Sequence, residues 1–189
     1  MSPPTDAASD GDAGLRIGLL SDTHIPDSRP TLWPEVLEQF QGVDLILHAG
    51  DIVSARVLDD LEKVAPVYAA EGNHDSHLAD DPRIEPYHML DLAGHRLALL
   101  HDFEPLTWEL GQLCDLWLDG IRPDIVVFGD THFEHLEVRD GTLLINPGSP
   151  TYPRNMSTRL GHIGFLTLHR GQPPQGEIVD LAELYPQSP

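Results

Sequence analysis

The chain has 189 residues and is 40% hydrophobic, enough for one substantial core and too little for two ordinary enzyme domains. Its 11 basic and 31 acidic residues leave a formal charge of -20, which disfavours nonspecific binding to a polyanion such as nucleic acid but leaves small phosphate esters as candidate ligands. The single cysteine, Cys114, sits among Leu113, Leu116 and Leu118; it excludes a disulfide framework or a cysteine-rich zinc site within one chain and suits a buried structural role.

Residues 1–14 are Ser, Pro, Thr, Asp, Ala and Gly apart from Met1, with no basic start and no apolar h-region. They read as a flexible tail and not as a secretory signal. Residues 15–182 are expected to form a single domain, and 183–189 a C-terminal tail. Nothing in the chain approaches the roughly 18 apolar residues that cross a bilayer, so the expectation is a cytoplasmic protein without a membrane partner. Homo-oligomer formation is left open by the sequence.

The run 15–20 is short and apolar and stops abruptly at Ser21-Asp22-Thr23-His24, as a buried strand ending in a loop should. The arrangement recurs: 43–47 ends at Ala49-Gly50-Asp51, 67–70 at Gly72-Asn73-His74-Asp75, 97–100 at His101-Asp102, and 125–128 at Gly129-Asp130-Thr131-His132. Between them, Leu32, Val36, Leu37 and Phe40 recur at helical spacing, as do Val57, Leu58, Leu61 and Val64 after a candidate Ser54 cap, giving an opening β-α-β-α-β order. Strands 87–92 and 95–100 flank Ala93-Gly94, a hairpin signal, and 106–118 reads as a helix. Strands 135–138 and 142–145 flank Asp140-Gly141, a strong two-residue turn signal, and strand-like stretches follow at 163–168 and 177–181. The expected fold is α/β: two packed mixed sheets with helices outside, a four-layer α-β-β-α sandwich.

Five strand ends thus deliver Asp, Asn or His toward one crevice, and in α/β folds ligands bind beyond the carboxyl ends of strands. In an extended segment residues two apart face the same side, so Asp22 with His24, and Asp130 with His132, are each expected to present a pair to one centre. Imidazole with carboxylate suits first-row divalent metals without thiolate.

These blocks, in this order, resemble the calcineurin-like metallophosphoesterases over about residues 15–154. Asn146-Pro147-Gly148-Ser149 further resembles the motif of the small single-domain bacterial and archaeal phosphodiesterase branch. The resemblance implies one metal held by Asp22, His24, Asp51 and His132, and a second held by Asp51, Asn73, His101 and position 130, with Asp51 bridging. Such a pair would polarise the phosphoryl oxygens and acidify a shared water into the attacking hydroxide. The candidate catalytic residues are His74, which would donate a proton or hydrogen bond to the phosphoryl or leaving oxygen, and Asp75 of the same block. Position 130 departs from the family, which usually has Gly-His-Thr-His where this chain has Gly-Asp-Thr-His. If Asp130 coordinates, the oxygen-rich site favours Mn²⁺ or Fe²⁺ over Zn²⁺, with Ni²⁺ or Co²⁺ as alternatives; otherwise it orients a histidine from outside the coordination sphere.

The branch implies a phosphodiester substrate in preference to a monoester. The same fold also implies an alternative, a noncatalytic scaffold like the retromer subunit, where the histidine of the Gly-Asn-His-Asp block is lost; this chain keeps His74. His77 and Asp102 follow ligand blocks closely enough to line the crevice. Trp33, Trp108 and Trp117 are expected to pack against aliphatic neighbours. Asn146 and Gly148 are expected to shape a turn below the site, and Arg154 to meet either a substrate phosphate or a surface carboxylate.

Overall fold

A computed structural model describes residues 14–105, 108–155 and 158–186. The first thirteen residues of the expected N-terminal tail lie outside them. Among the described residues, eleven strands form two mixed sheets. In the first, β1 (Leu15–Leu20), β2 (Leu45–His48), β3 (Val67–Ala70) and the two-residue β4 (Ile84–Glu85) run parallel, while β10 (His162–Leu168) and β11 (Gln175–Asp180) extend it antiparallel beyond β1. In the second, β6 (His95–Leu100), β7 (Ile125–Val127) and β9 (Thr142–Asn146) are parallel, edged by antiparallel β5 (Tyr87–Leu92) and β8 (His135–Arg139).

Period-two alternation divides the side chains between layers. Ile17, Leu19, Leu45 and Leu47 point between the sheets, where they meet Leu97, Leu99, Ile125, Val127, Leu143 and Ile145. Leu20 and Ile46 point the other way, against α1 (Pro34–Gln39), α2 (Ala55–Glu62) and the single turn α4 (Leu181–Leu184). On the far side Ala98, Leu100, Val126 and Leu144 pack under α3 (Leu110–Trp117). The layers are therefore helix, sheet, sheet, helix, because each sheet has two apolar faces to bury.

Both hairpins have the turn their residues dictate. Ala93-Gly94 and Asp140-Gly141 take positive φ at both positions, the backbone that matches the twist of paired strands across a two-residue loop.

Several local expectations shift. Ser54 occupies the cap position of α2, but its side chain makes no capping hydrogen bond. The helix expected over 106–118 begins at Leu110, because Glu109 and Gln112 bond reciprocally with each other's backbone and close the first turn there; residues 106 and 107 lie outside the described residues. Strand β4 and helix α4 carry too few residues to show periodicity. The turn α4 straddles position 182, with Leu181 buried and Asp180 accepting the Ala182 N–H. Cys114 is buried on the inner face of α3 and Trp33 is buried beside α1. Trp108 and Trp117, expected to pack, are 47% and 38% exposed, since α3 turns Leu110, Leu113 and Cys114 inward instead.

Candidate metal centre

Six of the parallel strands, β1, β2, β3, β6, β7 and β9, end at the same edge of the sandwich, and each hands the chain to one of the polar blocks. The blocks do not continue as extended chain. Asp22, His24, Asp51, Asp130 and His132 all take positive φ, between 44° and 70°. The side chains therefore converge through left-handed turns and not through strand alternation, which corrects the expectation for the Asp22/His24 and Asp130/His132 pairs. Such conformations cost non-glycine residues of order 1–3 kcal/mol each and persist where the surroundings over-determine them. Here the determinants are visible: the Asp22 N–H donates to Gly50 O (2.9 Å) and the His24 N–H to Asp51 O (2.9 Å), stitching the first two loops together. The loops are also in close contact at Gly72 and Gly129, where any Cβ would overlap the Asp51 nitrogen and the Ser21 hydroxyl respectively.

Three overlapping groups of candidate ligating atoms result among the described residues, each with its members within 4.8 Å: Asp22, His24 and His132; His24, Asp51 and His74; and Asp22, Asp51 and His101. His24 Nε2 lies 3.3 Å from Asp51 Oδ2 and 3.2 Å from His132 Nε2, and His132 Nε2 lies 3.6 Å from Asp22 Oδ1. His101 Nε2 is 3.6 Å from Asp51 Oδ1 and 3.7 Å from Asp130 Oδ1. Asn73 Nδ2 donates to Asp130 Oδ1 at 3.1 Å. Asn73, His101 and Asp130 thus meet beside Asp51, while Asp22, His24 and His132 meet on its other side. His74 sits at the rim, its ring edge-on to His24 at 5.2 Å between centroids and its backbone N–H on Asp51 Oδ1 at 3.0 Å.

The orientation of the imidazoles is fixed from behind. His101 Nδ1–H donates to Ala49 O (2.7 Å) and His132 Nδ1–H to Tyr152 O (2.9 Å), which aims both Nε2 atoms into the centre. A carbonyl on the distal nitrogen is the usual support of a metal-ligating histidine. Both Asp22 carboxylate oxygens and His101 Nε2 are buried without a hydrogen-bond partner among the described residues. Buried polar atoms are normally satisfied, so converging lone pairs of this kind fit a cation. The electrostatics agree. Burial pushes the Asp22 carboxyl up, against the charges of His101 and His132. Burial opposes charge on His101, but the adjacent Asp51 and Asp22 carboxylates outweigh it and raise the ring to about 9. They outweigh it at His24 as well, where Asp51 raises the ring. Burial would raise Asp51 too, yet the His101 and His24 rings hold it well below the usual carboxylate range. The crevice demands positive charge, supplied by protons or by metal.

Asp75 does not reach this crevice. It is fully buried, and its oxygens accept the N–H groups of Ile52 (2.9 and 3.2 Å), Val53 (2.8 Å) and Gly72 (2.9 Å). Expected beside His74 as a candidate for the chemistry, it instead ties the Asp51 loop to the Asn73 loop. It also holds Val53, a β-branched residue at φ 66°.

The turn after β9 works from below. Asn146 Nδ2 donates to Gly129 O (2.8 Å), Ser149 Oγ to Asp22 O (2.7 Å), and Thr151 Oγ1 to Thr23 O (2.6 Å). His48, outside the expected ligand set, is buried and bonds on both nitrogens: it accepts the Gly50 N–H at Nδ1 (3.2 Å) and donates from Nε2 to Thr23 Oγ1 (3.1 Å). His77 meets Val53 O (2.9 Å), and Arg154 pairs with Glu134, so the surface-carboxylate alternative describes it. No pattern in the sequence marks Tyr152 and Thr158, which line the 530 Å³ crevice together with His24, Asp51, Asn73, His74, Asp130 and His132.

A double-sheet sandwich with Asp, Asn and His gathered at its parallel strand ends is the framework of a metal-assisted phosphoester hydrolase. Residues 15–171 match the calcineurin-like phosphoesterase superfamily domain, and the chain belongs to that family. Among its relatives, a probable metallophosphoesterase of Methanothermobacter thermautotrophicus is 37% identical over 141 residues, covering 74% of this chain and 80% of that protein. A phosphodiesterase of Methanocaldococcus jannaschii is 26% identical over 147 residues, covering 71% and 83%. In structure the chain is similar to vacuolar protein sorting 29 of Cryptosporidium parvum, with a TM-score of 0.69, 21% identity, and 89% and 98% of the two chains covered. No helix among the described residues is long and apolar enough to cross a membrane.

Proposed function

We propose that this protein is a phosphodiesterase that works with two divalent cations, Mn²⁺ or Fe²⁺ in preference to Zn²⁺, Ni²⁺ or Co²⁺. The observation that carries this reading is the buried Asp22 carboxylate gathered with Asp51 and the Nε2 of His101, the Asp22 oxygens and that nitrogen having no hydrogen-bond partner among the described residues. Asp22, His24, Asp51 and His132 would hold one cation, and Asp51, Asn73, His101 and Asp130 the other. Bound there, the cations supply Lewis-acid polarisation of the phosphoryl oxygens and lower the pKa of the attacking water.

The chain's own groups do the rest. Asp51, backed by the His74 N–H, keeps one oxygen oriented toward each ligand group. The His132 and His101 rings cannot swing, because each is tied through Nδ1 to a backbone carbonyl. His74, exposed at the crevice mouth, gives a proton to the leaving oxygen as the P–O bond breaks and the water oxygen bonds to phosphorus. The preference for a diester draws on the Methanocaldococcus relative named as a phosphodiesterase.

A second reading is a noncatalytic scaffold, favoured by the likeness to vacuolar protein sorting 29 and by Asp130 in place of the family's histidine. Hydrolysis of bis(p-nitrophenyl) phosphate and p-nitrophenyl phosphate, each with Mn²⁺, Fe²⁺, Zn²⁺, Ni²⁺ and Co²⁺, separates the readings. Faster diester turnover that is lost in His74→Ala supports the proposal; a folded protein inactive with every metal promotes the scaffold.

A further inference from the structure

A second cleft of about 300 Å³ adjoins the metal centre and shares Asn73 and His101 with it. Its outer wall is unlike the polar crevice. Tyr87, at the start of edge strand β5, and Trp117, at the end of α3, stand 39% and 38% exposed, above Pro86 and the buried Leu100. Neither ring stacks on another aromatic ring among the described residues. Large aromatics left half in solvent at a cleft wall offer flat apolar area without the entropy cost of a flexible side chain. The remaining polar lining is acidic: the Glu71 and Asp102 side chains make no hydrogen bond among the described residues and so keep free acceptors.

This combination selects a ligand. Two carboxylates repel a phosphate and accept N–H donors, while the rings accept a flat apolar face, so the cleft suits a neutral planar heterocycle with an amino edge. The volume sits at the low end for small-molecule pockets, enough for one ring system and not for a folded chain. Two clefts that meet at Asn73 also match a substrate with two arms on one phosphorus. We propose that the cleft between Tyr87 and Trp117 is a nucleobase subsite, so that the phosphodiester hydrolysed at the adjoining centre carries a nucleoside on one arm. This rests on the hydrolytic reading above for the phosphate, but the subsite itself is a binding site that stands without it.

Two measurements on the full chain test it. In the first, kcat/KM is compared for adenosine 5′-(p-nitrophenyl phosphate) and methyl p-nitrophenyl phosphate, which share a leaving group. The parent should prefer the nucleoside ester, Trp117→Ala should reduce that ratio by about tenfold, and Trp117→Phe should restore most of it. A parent with no preference, or a ratio unmoved by Trp117→Ala, overturns the subsite while leaving the hydrolase intact. In the second, free adenosine, which lacks a phosphate, is titrated against the Trp117 indole N–H resonance, identified by its disappearance in Trp117→Phe. A saturable shift supports the subsite even if no ester is hydrolysed, in which case only the hydrolytic reading fails; no shift overturns it.

Discussion

Asp75→Asn separates positioning from chemistry at this site. The wild-type carboxylate is fully buried and serves the N–H groups of Ile52, Val53 and Gly72 with two oxygens. An amide has one oxygen. Turned toward Ile52 and Val53, it presents an NH₂ to the Gly72 N–H and leaves that donor unpaired. One unsatisfied buried donor costs about 1–3 kcal/mol, and loss of the charge on the surviving bonds adds roughly 1 kcal/mol. The expected total is about 3 kcal/mol, which for a chain of this size lowers Tm by about 6–12 °C. Because Ile52 and Val53 follow Asp51 directly, the metal concentration for half-maximal activity should rise as well, with kcat recovering at saturating metal. His74→Ala should do the reverse, keeping Tm and losing roughly 10²-fold or more in kcat. Thermal melts with and without metal, and kinetics over a metal titration, check both variants. An Asp75→Asn protein with parental Tm and a comparable loss of kcat at saturating metal would refute the positioning role.

Metal should stabilise the fold as well as activate it. Adding Mn²⁺ at about 100 times its Kd to chelator-treated protein should contribute about 2.7 kcal/mol, read as a rise in Tm of about 5–11 °C; no rise would count against a cation at these residues. Burial, with the His101 charge, holds the His48 ring down at about 4 against an ordinary 6.5. The unfolded chain therefore binds the extra proton between those values, so this contribution is full above pH 6.5 and is lost as pH falls through 4, up to about 3 kcal/mol. Denaturant titrations across that range should show a shallower acid loss in His48→Gln; parallel curves would remove His48 as the cause. Asp130→His should shift the ratio of Zn²⁺ to Mn²⁺ affinity toward Zn²⁺ by about tenfold, measured by competitive metal binding, and identical profiles would show that Asp130 does not set metal choice.

Much of the scaffold was legible because six of the parallel strands announce themselves twice, as an apolar run and as a polar block that ends it. The strand over 67–70 ends at Gly72-Asn73-His74-Asp75, and the one over 15–20 at Asp22 and His24, in the structure as in the pattern. Short elements without a period, β4 and α4, left no such trace. Within the blocks the sequence could not say which way each side chain turns. Asp75 has the same chemistry as Asp51 and lies beside His74, yet it faces backbone N–H groups and not the crevice. His48 looked like one more histidine outside the ligand set, yet it cross-links two ligand loops.

The sequence by itself determined the inventory: which acids, amides and imidazoles end which strands, and that none of them is a thiolate. Tertiary structure alone decided their aim. Direction at the left-handed turns of Asp22, His24, Asp51, Asp130 and His132 is set with hydrogen bonds to loops distant in the chain, such as Ser149 Oγ to Asp22 O and His24 N–H to Asp51 O. Those partners come within reach only when two sheets pack with their parallel ends together, and no local spacing encodes that proximity.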